Sequence, residues 1–132
     1  MTRLVNPDRS LEELERDHWS ASSGGETRLM ATVRELRCKP IGSLTVEDMR
    51  LLIRQDVGLA HLLPLAVEVL RLAPLAEGDL YEGDLLAAVL TRSAEVWREF
   101  PGLRGEVRLI VSALADVPPA LRCEVEGFLA AP

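Results

Sequence analysis

Apolar residues in this chain return at the spacing of a helix and almost nowhere at that of a strand. Leu103, Val107, Ile110, Val111 and Leu114 fall on one stripe of a helical wheel, as do Val46, Met49, Leu52, Ile53 and Val57. No stretch keeps up the two-residue alternation of a half-buried strand. Prolines and glycines cut the helical pattern into short pieces: Pro40 with Gly42, Gly58, Pro64, Pro74, Pro101 with Gly102, and Pro118 with Pro119. The expected fold is therefore all-α, a compact single-domain bundle of about six to eight short helices.

Local signals set the boundaries. Ser10 and Glu13 make a capping box that opens the helical stretch SLEELERDHW, with Leu11 and Leu14 on one side. The polar segment SASSGGE after it reads as a flexible loop, so residues 1–25 are expected to form an N-terminal arm and residues 26–132 the helical domain. A helix after Thr27 carries Leu29, Val33 and Leu36. Thr45 is placed to cap the next one, with Glu47 and Asp48 in its first turn and Gly58 at its end. Pro64 fits the first turn of another helix, leaving residues 59–63 as a turn or a kink. Asp84 stands where an N-cap belongs ahead of Leu85-Leu86-Ala87-Ala88-Val89, and Ser93 caps a helix that turns Val96, Trp97 and Phe100 inward. The paired prolines open a last helix with Leu121, Val125, Phe128 and Leu129.

Composition narrows the function. A length of 132 residues, 48% hydrophobic and 27% charged, gives one domain with its own core and is far from disordered composition. Net charge is −6, so the average surface repels phosphate backbones and argues against direct nucleic-acid binding. The beginning MTRLVNPDRS has no apolar core of a secretory signal, and the most apolar stretch, residues 58–76, is broken by His61, Pro64, Glu68, Arg71 and Pro74. A cytoplasmic protein with no membrane contact is expected. Cys38 and Cys123 lack metal-ligand spacing and are expected to be reduced, packed thiols. His18 and His61 have no companion ligands nearby, no serine sits in a nucleophile elbow, and no glycine-rich phosphate loop occurs. No catalytic residue, cofactor or metal is therefore expected. Trp97 reads as core; Trp19, on the polar arm, reads either as docked on the core or as a partner anchor.

The densest chemistry lies in AEGDLYEGDLL, residues 76–86, where the phrase EGDL occurs twice. Glu77, Asp79, Glu82 and Asp84 do not follow the register of a calcium loop, and nothing marks one of them as a buried acid beside an ionised neighbour. With Asp84 assigned to capping and Gly78 and Gly83 to turns, an acidic rim of Glu77, Asp79 and Glu82 with Tyr81 in its middle is left over.

The run SLTVEDMRLLIRQDVGLAHLLPLAVEVLRLAPLAEGDLYEGDLLAAVL, residues 43–90, resembles the signature region of a bacterial family of contact-dependent growth inhibition immunity proteins. The phrases LTVEDMRLLI and PLAEGDLYEGDLL carry the likeness, and LEELERDHW resembles that family's N-terminal part. Three departures stand out: Arg54 in place of a small residue, Glu82 in place of a proline, and RLA at 71–73 in place of a more acidic run. The resemblance implies a small cytoplasmic inhibitor without enzymatic activity, monomeric or weakly dimeric, that binds the toxic C-terminal domain of a cognate effector, often a nuclease. On that reading Glu77, Asp79, Tyr81 and Glu82 become candidate toxin contacts, since an acidic rim complements a basic substrate-binding surface. A helical adaptor or assembly subunit with an unrelated partner is the other reading of the same loop.

Overall fold

A computed structural model describes residues 7–19 and 25–131. Eight α-helices follow one another in it: α1 (Leu11–Glu15), α2 (Arg28–Arg37), α3 (Val46–Arg54), α4 (Leu59–Leu72), α5 (Asp84–Leu90), α6 (Ala94–Glu99), α7 (Pro101–Ser112) and α8 (Arg122–Ala130). Two 3₁₀ turns, Ile41–Ser43 and Pro119–Leu121, lead into α3 and α8. Among the described residues there is no strand, only an isolated bridge between Ser10 and Pro40. The protein is all-α.

The caps are where side-chain chemistry puts them. Ser10, Thr27, Thr45 and Ser93 each accept a backbone N–H from the first turn of the helix they precede, and at Ser10 and Thr45 the carboxylates of Glu13 and Asp48 complete reciprocal boxes. Lys39 Nζ donates to the same Asp48 oxygen, at 3.1 Å, that accepts the Thr45 N–H, which ties the start of α3 to the segment before it. Pro101 takes the first position of α7, where its missing N–H costs nothing.

The short α5 is the centre of the bundle. Every residue from Asp84 to Leu90 is buried, as suits a helix that is apolar almost all round. The neighbours α3, α4 and α8 pack around it, bringing Met49, Leu52 and Ile53, then Leu62, Leu63, Ala66 and Leu70, then Val125 and Phe128 into one core. Trp97 from α6 meets Phe128 edge to face with ring centroids 5.6 Å apart.

Three expectations change. The helix α3 does not run to Gly58: it ends at Arg54, a left-handed Asp56 (φ 56°) follows its cap, and Val57 bonds back to the Leu52 carbonyl, while Gly58 (φ 66°) opens α4 instead. Residues 59–63 are the opening of α4 itself, so Pro64 lies inside one helix rather than in the first turn of a new one. A proline inside a helix costs about 3 kcal/mol, yet burial of Leu62, Leu63, Leu65, Ala66, Val67 and Leu70 on this one segment offsets it. Cys38 and Cys123 are both free but exposed rather than packed.

The described part of the arm lies against the body. Leu11 is fully buried, Ser10 bridges to Pro40, and the guanidinium of the buried Arg37 pairs with Glu15 at 2.8 Å beneath the Trp19 ring, 4.2 Å from its centroid. Trp19 thus packs on the core edge. Of the polar SASSGGE segment, residues 20–24 lie outside the described residues.

Candidate functional site

The acidic loop joins the end of α4 to α5 and rests on the first turns of α3. Asp84 is the residue on which its shape depends, in a role different from the expected cap. Gly83, left-handed at φ 87°, occupies the N-cap position, and Asp84 is the first residue of α5, only 2% exposed. Its carboxylate turns back on the loop. Oδ1 accepts the Gly78 N–H at 2.6 Å, and Oδ2 accepts those of Leu80 at 2.9 Å and Tyr81 at 3.4 Å. The Asp84 carboxylate therefore folds the loop around itself, collecting backbone donors that would otherwise be unpaired.

A second carboxylate supports the same turn from α3. Glu47 Oε1 accepts the Asp79 N–H at 2.8 Å, and the Glu47 carboxylate takes both Nε and a terminal nitrogen of Arg50, at 2.7 and 2.5 Å. Arg50 Nε also lies 3.8 Å from Asp84, so one cation bridges the two carboxylates under the loop. The bond to Arg50, helped by the Asp79 N–H, holds the Glu47 carboxyl below its ordinary range against the opposing effect of burial. Reciprocally, the Glu47 bond holds the Arg50 guanidinium above its usual range. Thr45, by capping α3, fixes where Glu47 and Arg50 stand.

The two glycines are needed for separate reasons. A Cβ on Gly78 would lie 2.6 Å from Glu47 Oε1 and 3.0 Å from Asp84 Oδ2, so this position must be bare for the carboxylates to approach the backbone. Gly83 combines a positive φ with a Cβ direction that would meet Leu121 Cδ1 at 2.5 Å.

The remaining predicted residues lie on the same loop. Glu77, Asp79, Tyr81 and Glu82 are all exposed, and the side chains of Glu77, Asp79 and Glu82 make no hydrogen bond or ion pair among the described residues. Leu80, at 62% exposure, stands between Asp79 and Tyr81 and adds an apolar contact that the sequence reading overlooked. Glu47 and Arg50 were also missed as parts of the site. The only local hint was their three-residue spacing on one helix, which fits an ion pair but does not reveal a loop more than twenty-five residues away. Of the departures from the family pattern, Arg54 is exposed at the end of α3 and Glu82 is exposed on the rim.

Among the described residues, no group of three His, Cys, Asp or Glu side chains is placed to hold a metal ion. No helix among the described residues is long and apolar enough to cross a membrane. Fold and site together define a small all-helical protein that displays a braced acidic loop. The sequence matches the family of CDI (contact-dependent growth inhibition) immunity proteins over residues 13–107, and the chain belongs to that family. The matched stretch runs from within α1 to within α7 and includes the whole of the acidic loop. No curated protein matches the sequence.

Proposed function

We propose that this protein is a cytoplasmic immunity protein that binds the toxic C-terminal domain of a cognate contact-dependent growth inhibition effector and blocks it by occlusion, one to one, without chemistry of its own. Membership of the family over residues 13–107 carries this reading. The loop geometry supports a particular surface for it. Glu77, Asp79 and Glu82 are exposed on the loop, Leu80 and Tyr81 are exposed among them, and the buried Asp84 accepts backbone N–H groups from the loop that carries them. An acidic rim around an apolar contact suits a partner with a basic surface, such as a nuclease: the charges speed encounter and the central side chains are desolvated on docking. A preformed loop also loses less conformational freedom on binding than a floppy one.

The test is calorimetry of the purified protein with the effector C-terminal domain encoded beside it, at low and at high salt. Tight one-to-one binding that weakens as salt rises is the expected result. Absence of binding at either salt would leave family membership as a statement about ancestry and fold, and would remove the toxin-blocking role from this chain.

A further inference from the structure

At the far end of α5 from the acidic loop, a cavity of ≈ 420 Å³ opens among Leu90, the α6 helix, the first turn of α7 and the α8 helix. That is the volume of an ordinary small-molecule site, about 300–1,000 Å³. Trp97 and Phe128, packed edge to face, supply its aromatic wall. Its charged lining runs against the character of the molecule. The chain carries a net charge of −6, yet Arg92, Arg98 and Arg104 border the cavity against Glu124 alone.

The three arginines are not equivalent. Arg92 is committed to the Ala88 carbonyl at 2.8 Å and to Asp56 at 2.6 Å, and Arg104 donates to the Ala131 carbonyl at 2.8 Å. Arg98 makes no hydrogen bond or ion pair among the described residues. Its guanidinium offers a planar, two-pronged donor suited to a carboxylate. A second donor is also unused. The indole N–H of Trp97 is buried and has no acceptor among the described residues, in a class of groups that nearly always find one.

We propose that this cavity binds a small organic acid, its aromatic or branched aliphatic body against Trp97, Phe128 and Leu90 and its carboxylate on Arg98. The apolar wall supplies contact area and Arg98 supplies selection for charge. The site is separate from the acidic loop, so its fate does not depend on toxin binding.

The two tryptophans make the test direct, because the full chain gives only two indole N–H signals in a nitrogen–proton correlation spectrum, assignable with Trp19→Phe. Titration with 3-phenylpropionate is expected to shift the Trp97 signal saturably and leave that of Trp19 in place. The neutral 3-phenylpropionamide, and the acid with Arg98→Gln, are each expected to bind about tenfold more weakly, the loss of one charged hydrogen-bonded contact. Arg98 is exposed, so the variant should keep the wild-type unfolding midpoint. No saturable shift with the acid, equal affinity for the amide, or undiminished binding of the acid by Arg98→Gln would each overturn the proposal.

Discussion

The two EGDL phrases of the acidic loop have the same four letters and opposite places in the molecule. In the first, Glu77 and Asp79 are exposed and their side chains make no hydrogen bond or ion pair among the described residues; in the second, Glu82 is exposed but Asp84 is buried and holds three backbone N–H groups. Their glycines differ in the same way, Gly78 bare so that carboxylates can approach and Gly83 bare so that the chain can turn left-handed against Leu121. A repeated phrase is therefore no guide to a repeated role. What separates the two copies is burial: the backbone of the first rests on Glu47 of α3 while its carboxylates stay exposed, and from Gly83 on the chain enters the core.

The sharpest way to break this contrast is to remove each aspartate in turn. Asp84→Ala leaves the N–H groups of Gly78, Leu80 and Tyr81 without their acceptor and Arg50 without one of its two anions, and is expected to cost about 2–4 kcal/mol. Urea unfolding measures it. A loss near 1 kcal/mol would be the size of an ordinary cap and would mean that the loop does not depend on this carboxylate. Next in size is Gly83→Ala, expected to cost about 1–3 kcal/mol because a side chain is disfavoured at positive φ and must also displace Leu121. An unchanged midpoint would contradict the left-handed turn.

Glu47→Gln tests the support from α3 and is expected to cost about 1 kcal/mol, since an amide oxygen can keep the Asp79 N–H but loses the charged bond to Arg50. It also carries a pH signature. The folded Glu47 carboxyl titrates below its unfolded value, so its contribution is fully present above the ordinary carboxylate range and is lost as pH falls through the lowered folded value. Wild type should thus lose stability on acidification more steeply than Glu47→Gln. Parallel curves would remove Glu47 from the account. The smallest effect belongs to Asp79→Ala, within about 0.5 kcal/mol of wild type, as for an exposed side chain that makes no hydrogen bond or ion pair among the described residues.

The elements that the sequence made legible are those defined within a few residues. Thr45 could be read as a cap because T-V-E-D carries its own reciprocal partner, as does Ser10 with Glu13, and Ser93 because a hydroxyl directly precedes a helical run. The stripes on α3 and α7 were visible for the same reason, as each helix announces its apolar face by spacing. Asp84 was misread because its partners are of two kinds that spacing does not show: backbone groups of the preceding loop, and Arg50 from α3. Pro64 was misread because a local rule against proline in a helix was overridden by the burial of α4. The docked arm was hidden by range, since Leu11 and Glu15 meet the body through residues that lie well along the chain. The exposed positions Glu77, Asp79, Tyr81 and Glu82 were legible as leftovers once turns had been assigned, but leftover status says only that a residue is free to serve a partner.

The central claim, that the first phrase and Glu82 are displayed for binding while Asp84 supports them, is tested most directly by a double charge reversal. Asp79→Lys with Glu82→Lys should be compared with wild type for affinity to the cognate toxin domain by calorimetry and for unfolding midpoint. The account predicts affinity reduced by about tenfold or more, as expected when like charges meet across an interface, with a midpoint close to wild type. Unchanged affinity in a stably folded variant would contradict it, and would move the binding surface to another face of the bundle.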